Sequence, residues 1–155
     1  MPHAVVSGAP LASASASASA AVFEPGDAAR RHVFVYGTLR RGEANDITRL
    51  LPSPRFVGCA AICGAMYHLG RYPGVVLAGE GSVQGEIYAI DAELERQLDA
   101  IEEVYPQQTG EYAKREIGVV LDGRELRCIV YEINPIHVQH APLLVDGDWV
   151  AAQGR

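Results

Sequence analysis

Asp122-Gly123 separates two long strand-like runs, Tyr112 to Leu121 and Glu125 to Ile133. A two-residue turn of this type takes positive φ at both positions, and it pairs the flanking strands antiparallel. Weaker versions of the same pattern recur along the chain. His32 to Tyr36 reads as a strand. Phe56 to Leu69 reads as one long strand or two, bent at Gly58 and Gly64. Gly70-Arg71-Tyr72-Pro73-Gly74 is a turn by its residue types, Val75 to Leu77 a short strand, and Ser82 to Ile90 another. In the last of these Val83, Gly85, Ile87 and Ala89 share one face, and Gln84, Glu86 and Tyr88 the other.

Helical signals are few. Asn45-Asp46 caps a short segment from Ile47 to Leu51 that Pro52 stops. Asp91 caps a longer one, Ala92 to about Val104, with Leu94, Leu98 and Ile101 as its buried stripe. Strands therefore outnumber helices and there is no regular strand–helix alternation. The expected fold is α+β: a small, largely antiparallel sheet closed into a β-barrel, with flanking helices.

The folded domain is expected over 31–155. Residues 1–30 carry an alternating Ala-Ser run that has little to bury and reads as a low-complexity, disordered segment. It lacks the basic start and Leu-rich core of a signal peptide. A formal net charge of -6 argues against nucleic acid as a partner. No apolar run is long enough to cross a membrane. Cys59, Cys63 and Cys128 match no zinc spacing and read as reduced thiols of a cytoplasmic protein, the first two on one packed strand face. His137 and His140, between Pro135 and Pro142, read as a solvated loop rather than half a metal site.

Two features suggest chemistry. Tyr36-Gly37-Thr38-Leu39 ends the first strand at a glycine, where a turn presents backbone N–H groups as an anion-binding concavity. On the longer helix, Glu102 falls roughly 70° from the centre of the apolar stripe at about 100° per residue. There a carboxylate is partly desolvated and its pKa is pushed toward neutrality. Glu103, and nearly so Glu95, fall on the solvent side. Periodicity alone favours the simpler reading of Glu102 as a surface charge at a helix end.

The series of motifs resembles the gamma-glutamylcyclotransferase-like family, in its gamma-glutamylamine cyclotransferase branch with the Tyr-Gly-Thr-Leu motif. The matching residues are Val35 to Gly42 with Asn45, Phe56-Val57-Gly58, Gly64 with Met66-Tyr67, Tyr72-Pro73-Gly74, Val83 with Gly85 to Tyr88, Leu98-Asp99 with Glu102, Tyr112 with Arg115, and Gly147-Asp148-Trp149. They span about 32 to 150. The resemblance implies a cyclising enzyme that needs no metal or cofactor and acts on a small gamma-glutamyl compound. Glu102 would be its catalytic carboxylate. Tyr36, Gly37, Thr38 and Leu39, with Tyr72 and Tyr112, would bind the substrate. A binding module that keeps the pocket without turnover is the alternative. This chain departs from the family at Glu103, where glycine is usual, and in a longer loop from Val104 to Glu111.

Overall fold

The computed structural model describes residues 30–154. The low-complexity segment expected over 1–30 lies, apart from Arg30, outside the described residues. The chain runs β1 (Arg31–Val35), β2 (Arg55–Cys63), β3 (Ala65–His68), β4 (Pro73–Val76), β5 (Ser82–Ile90), α1 (Ala92–Ile101), β6 (Tyr112–Leu121), β7 (Arg124–Ile133) and α2 (Trp149–Ala152). Short 3-10 turns lie at Ile47–Arg49 and Pro135–Val138.

Local signals set local pairings. β6 and β7 form a continuous antiparallel ladder from Tyr112↔Ile133 to Leu121↔Arg124. Asp122 and Gly123 both take positive φ at its turn, the conformation their residue types favour. The Phe56–Leu69 run is two strands. Gly64 separates them, and the β2–β5 register shifts between Phe56 and Gly58.

The sheet is not a closed barrel. Its order is β2-β5-β1-β7-β6, and β3-β4 form a separate hairpin. β2 and β6 are its edges, and no ladder among the described residues joins them. Three of the four ladders are antiparallel, but β1 runs parallel to β7. The sheet is therefore mixed. Tight turns report which consecutive strands pair. Whether distant edges meet depends on non-local geometry that no turn encodes.

Alternation along β1 supplies two cores. Phe34 and Tyr36 join Val57, Ile62, Ile117, Val119 and Trp149 on one face of the sheet. Val33 and Val35 join Ile47, Leu94 and Leu98 on the other, where α1 packs. β5 is central, and Glu86 and Tyr88 on its expected polar face are buried. The Glu86 carboxylate accepts from Arg40 Nε, the Arg41 amide and the Tyr88 hydroxyl. Cys128 is buried, whereas Cys59 is exposed and Cys63 half-buried. The two β2 thiols are thus not packed in a core, because β2 is an edge strand.

The chain closes on Gly147-Asp148-Trp149. Gly147 takes φ 62, and a Cβ there would lie 1.8 Å from the Ser82 carbonyl oxygen. We predict that Gly147→Ala costs about 3 kcal/mol or more, read as a lower denaturation midpoint at unchanged m-value. A loss under about 0.5 kcal/mol would show that this contact relaxes freely.

Candidate functional site

A cavity of about 400 Å³ opens where β1 ends. Its lining includes Tyr36, Gly37, Thr38, Leu39, Tyr72, Glu102 and Tyr112, so every candidate residue named from the sequence meets in one place. The floor is buried: Tyr36 is 7% exposed and Leu39 4%.

One wall is the turn after β1. Its own bonds run from the amides of Arg40 to Gly37 O, Asn45 to Thr38 O and Ile47 to Leu39 O. The amides of Gly37, Thr38 and Leu39 enter none of these bonds. The Leu39 side chain sits in the α1-side core, so Leu39 faces the cavity with its backbone. A Cβ at Gly37 would lie 2.6 Å from Cγ of Pro73. Glycine is therefore required by the close approach of the β3–β4 hairpin. Asn45 Nδ2 donates to Thr38 Oγ1 at 3.1 Å. Arg40 does not line the cavity. Its guanidinium donates to Glu86 and, at 3.0 Å, to Asp148, which ties the turn to β5 and to the cap of α2.

The facing wall is the end of α1, which stops at Ile101, three residues earlier than periodicity predicts. Glu102 is the C-cap. The Val104 amide bonds back to Asp99 O at 2.9 Å and the Glu103 amide to Ala100 O at 3.2 Å. These two bonds form a Schellman motif, whose C′ residue takes the left-handed conformation. That residue is Glu103, at φ 56. A glycine is usual at such a position because it carries no Cβ penalty. The early stop corrects one expectation and extends another. Ile101 is 36% exposed and lines the cavity instead of completing the buried stripe. Glu103 is exposed, as its solvent-side position predicts, and lines the cavity as well.

Glu95 also departs from its expected solvent face. Its carboxylate takes Arg31 and Lys114, and Asp99 takes Lys114 Nζ at 3.0 Å and the Tyr131 hydroxyl at 2.7 Å. Strand β7 returns toward the cavity through Tyr131, whose carbonyl accepts the Tyr36 hydroxyl at 2.6 Å.

The Glu102 side chain is half-buried and makes no hydrogen bond among the described residues. Burial, then the charges of Glu111 and Glu103, raise its pKa from 4.5 to about 7. Burial pushes the Tyr36 and Tyr112 hydroxyls far above their usual range, with the Glu102 charge adding to it in both. Tyr72 donates to Glu111 at 2.5 Å, a bond that pushes its pKa up to about 12. Tyr112 donates to Pro73 O at 2.8 Å, and its ring lies 6.4 Å from that of Tyr72.

The sequence leaves open whether His68 or Arg71 reaches the cavity mouth; Arg71 lines it, as do Glu111 and Tyr131, which the sequence does not single out as site residues. Glu111 directly precedes Tyr112, and Arg71 precedes Tyr72, so adjacency to a named residue was the available signal. His68 is not at the cavity; its ring lies 5.0 Å from that of Trp149. His137 and His140 are exposed, and no cluster among the described residues has the makeup of a metal site.

The Gamma-glutamyl cyclotransferase, AIG2-like family matches residues 33–151. The chain belongs to that family. Among curated relatives of this cyclotransferase-family chain, the gamma-glutamylcyclotransferase family protein YtfP of Escherichia coli K12 is 34% identical over 119 residues, covering 76% of this chain and 95% of its own. The gamma-glutamylaminecyclotransferase of Bos taurus is 34% identical over 140 residues, covering 79% and 77%. The solution structure of E. coli ytfP superposes with a TM-score of 0.54 at 31% identity, covering 79% of this chain and 98% of that one.

The wall at α1 generates two predictions. Glu103→Gly removes a left-handed non-glycine residue and a charge beside Glu102. It should stabilise the protein by about 1 kcal/mol and lower the Glu102 pKa, read by denaturation and by carboxyl NMR titration. A loss of stability would contradict the cap assignment. Glu102 itself has a raised folded pKa, so the folded state binds more protons than the unfolded chain between about 4.5 and 7. Stability attributable to this group is full below that window and lost as pH rises through it. Glu102→Gln should therefore stabilise the protein on the order of 1–3 kcal/mol at a pH of about 8 and little at a pH of about 4; equal effects at both would contradict the shift.

Proposed function

We propose that this cavity binds the gamma-glutamyl group of a small compound and releases it as 5-oxoproline, with Glu102 as general acid–base. One observation carries the reading. An unpartnered carboxyl with a pKa of about 7 lines the same cavity as a turn whose Gly37, Thr38 and Leu39 amides enter none of its own bonds. Family membership supports the same class of chemistry.

The substrate's α-ammonium cannot attack until it loses a proton, and ionised Glu102 is the group placed to take it. A pKa near the working pH suits both proton transfers, first accepting that proton and then returning one to the leaving amine. The free amine attacks its own γ-carbonyl and closes a five-membered ring. The C–N bond to the leaving amine breaks and that nitrogen departs with the proton from Glu102, while the ring nitrogen gives up its remaining extra proton to the emptied carboxylate and from there to the released amine, which leaves as an ammonium. Negative charge gathers on the carbonyl oxygen meanwhile, and the amides of Gly37, Thr38 and Leu39 are the donors proposed for it. Because attack is intramolecular, holding the chain folded in the cavity between Tyr36, Tyr72 and Tyr112 contributes through orientation. The reaction as written balances without a cofactor.

Identity to the bovine gamma-glutamylaminecyclotransferase equals that to YtfP, 34% in each case. Relatedness alone therefore does not choose the gamma-glutamylamine branch. The test is a panel of gamma-glutamyl amino acids and amines, assayed for 5-oxoproline. We predict release by the unaltered protein, with kcat/KM falling below a pH of about 7. Glu102→Gln should lower kcat about 10²–10⁴-fold. Full activity in that variant would sink the mechanism, and silence of the unaltered protein across the panel would favour a binding module.

A further inference from the structure

The cavity floor is apolar and tyrosine-lined, but its rim is charged. Arg71 is the one basic side chain among the lining residues, and it is exposed. Three other arginines are engaged: Arg31 with Glu95, Arg40 with Glu86 and Asp148, Arg115 with Glu132. Among the described residues no carboxylate lies within ion-pair distance of Arg71, although Glu103 and Glu111 line the same cavity.

The backbone beneath Arg71 is held in place. It occupies the tip of the β3–β4 hairpin, between Gly70 at φ 99 and Tyr72. The Leu69 amide bonds to Tyr72 O at 2.9 Å, and the Gly70 amide donates to His68 Nδ1 at 3.0 Å. Tyr72 is tied to Glu111, and the Pro73 ring lies against Gly37. The guanidinium is thus carried on a braced turn beside the loop that forms the floor.

On the proposed function the gamma-glutamyl group fills the floor, between the 36–39 turn and Glu102. What passes the rim is then the group attached to its γ-nitrogen. We propose that Arg71 selects the leaving group: it pairs with a carboxylate there, so the preferred substrates are gamma-glutamyl amino acids rather than plain gamma-glutamylalkylamines. The inference rests on the cyclotransferase reading for its placement of the substrate. A guanidinium binds a carboxylate through two parallel N–H donors, which a neutral alkyl end cannot accept. Glu103 and Glu111 add negative charge at the same rim, so Arg71 is the one lining side chain on which a carboxylate can pair, and its removal leaves only like charges there. Arg71 is assigned to specificity, since it touches the departing group and none of the bonds that change.

Gamma-glutamylglycine and gamma-glutamylethylamide test this directly, because they differ only in a carboxylate against a methyl. The unaltered protein should favour the glycine compound about fivefold to tenfold in kcat/KM. Arg71→Ala should erase that preference by raising KM for gamma-glutamylglycine, with kcat and the ethylamide nearly unchanged. Arg71→Lys should restore part of it. Calorimetric affinities for both compounds, measured in parallel on the same three proteins, give the same ratio without turnover. Absence of 5-oxoproline from both compounds would then count against the cyclotransferase reading, while the affinity ratio still decides the role of Arg71. Equal losses on the two compounds in Arg71→Ala, or no loss on either, would overturn the inference.

Discussion

Asp99 holds the site together. Its side chain receives the Tyr131 hydroxyl and Lys114 Nζ, which fastens the last turn of α1 to β7 and β6. Its carbonyl receives the Val104 amide, which ends the helix and turns the chain. One residue thus fixes both where α1 lies and where it stops. Glu102 follows three positions later and is delivered to the cavity with its carboxyl unpartnered. A carboxylate clamped in place by hydrogen bonds would have been held at low pKa; this one is left to burial and to like charges, and its pKa rises.

The opposite wall is built by the same division of labour. In the turn after β1, Arg40 faces away, into Glu86 and Asp148. Asp46 accepts from the Gly42 and Thr48 amides, which fixes the turn's far end. Held from outside, the 37–39 backbone lines the cavity with amides that enter none of the turn's own bonds, and only glycine at 37 admits the Pro73 ring. Several motifs that pointed to the family are therefore framework. Asp148 and Arg40 never reach the cavity, and Asp99 acts through the helix it anchors.

What was legible in the sequence was local. Asp122-Gly123 dictated a hairpin, Asp91 capped α1, and Gly64 broke the Phe56–Leu69 run. Closure of the sheet was not legible, because no residue signals whether edges as distant in sequence as β2 and β6 will pair. Nor was the parallel β1–β7 ladder, whose strands lie nearly a hundred residues apart. Periodicity placed Glu102 at the shoulder of α1 and Glu103 toward solvent; Glu103 is exposed, but the turn that ends the helix at Ile101 also brings it to the cavity, which periodicity could not show. The Schellman turn gives the physical reason glycine is favoured at such a position, since it carries no Cβ penalty in the left-handed conformation. Here a glutamate occupies the left-handed site and adds its charge to the pocket.

The central claim is that two walls, the 37–39 backbone and Glu102, act on one bound group. A crystal structure with 5-oxoproline tests it most directly. The ring carbonyl should lie within hydrogen-bond distance of amides in the Gly37–Leu39 turn, and the ring nitrogen beside the Glu102 carboxyl. A ring bound away from either wall, or seated with its nitrogen facing away from Glu102, would contradict it.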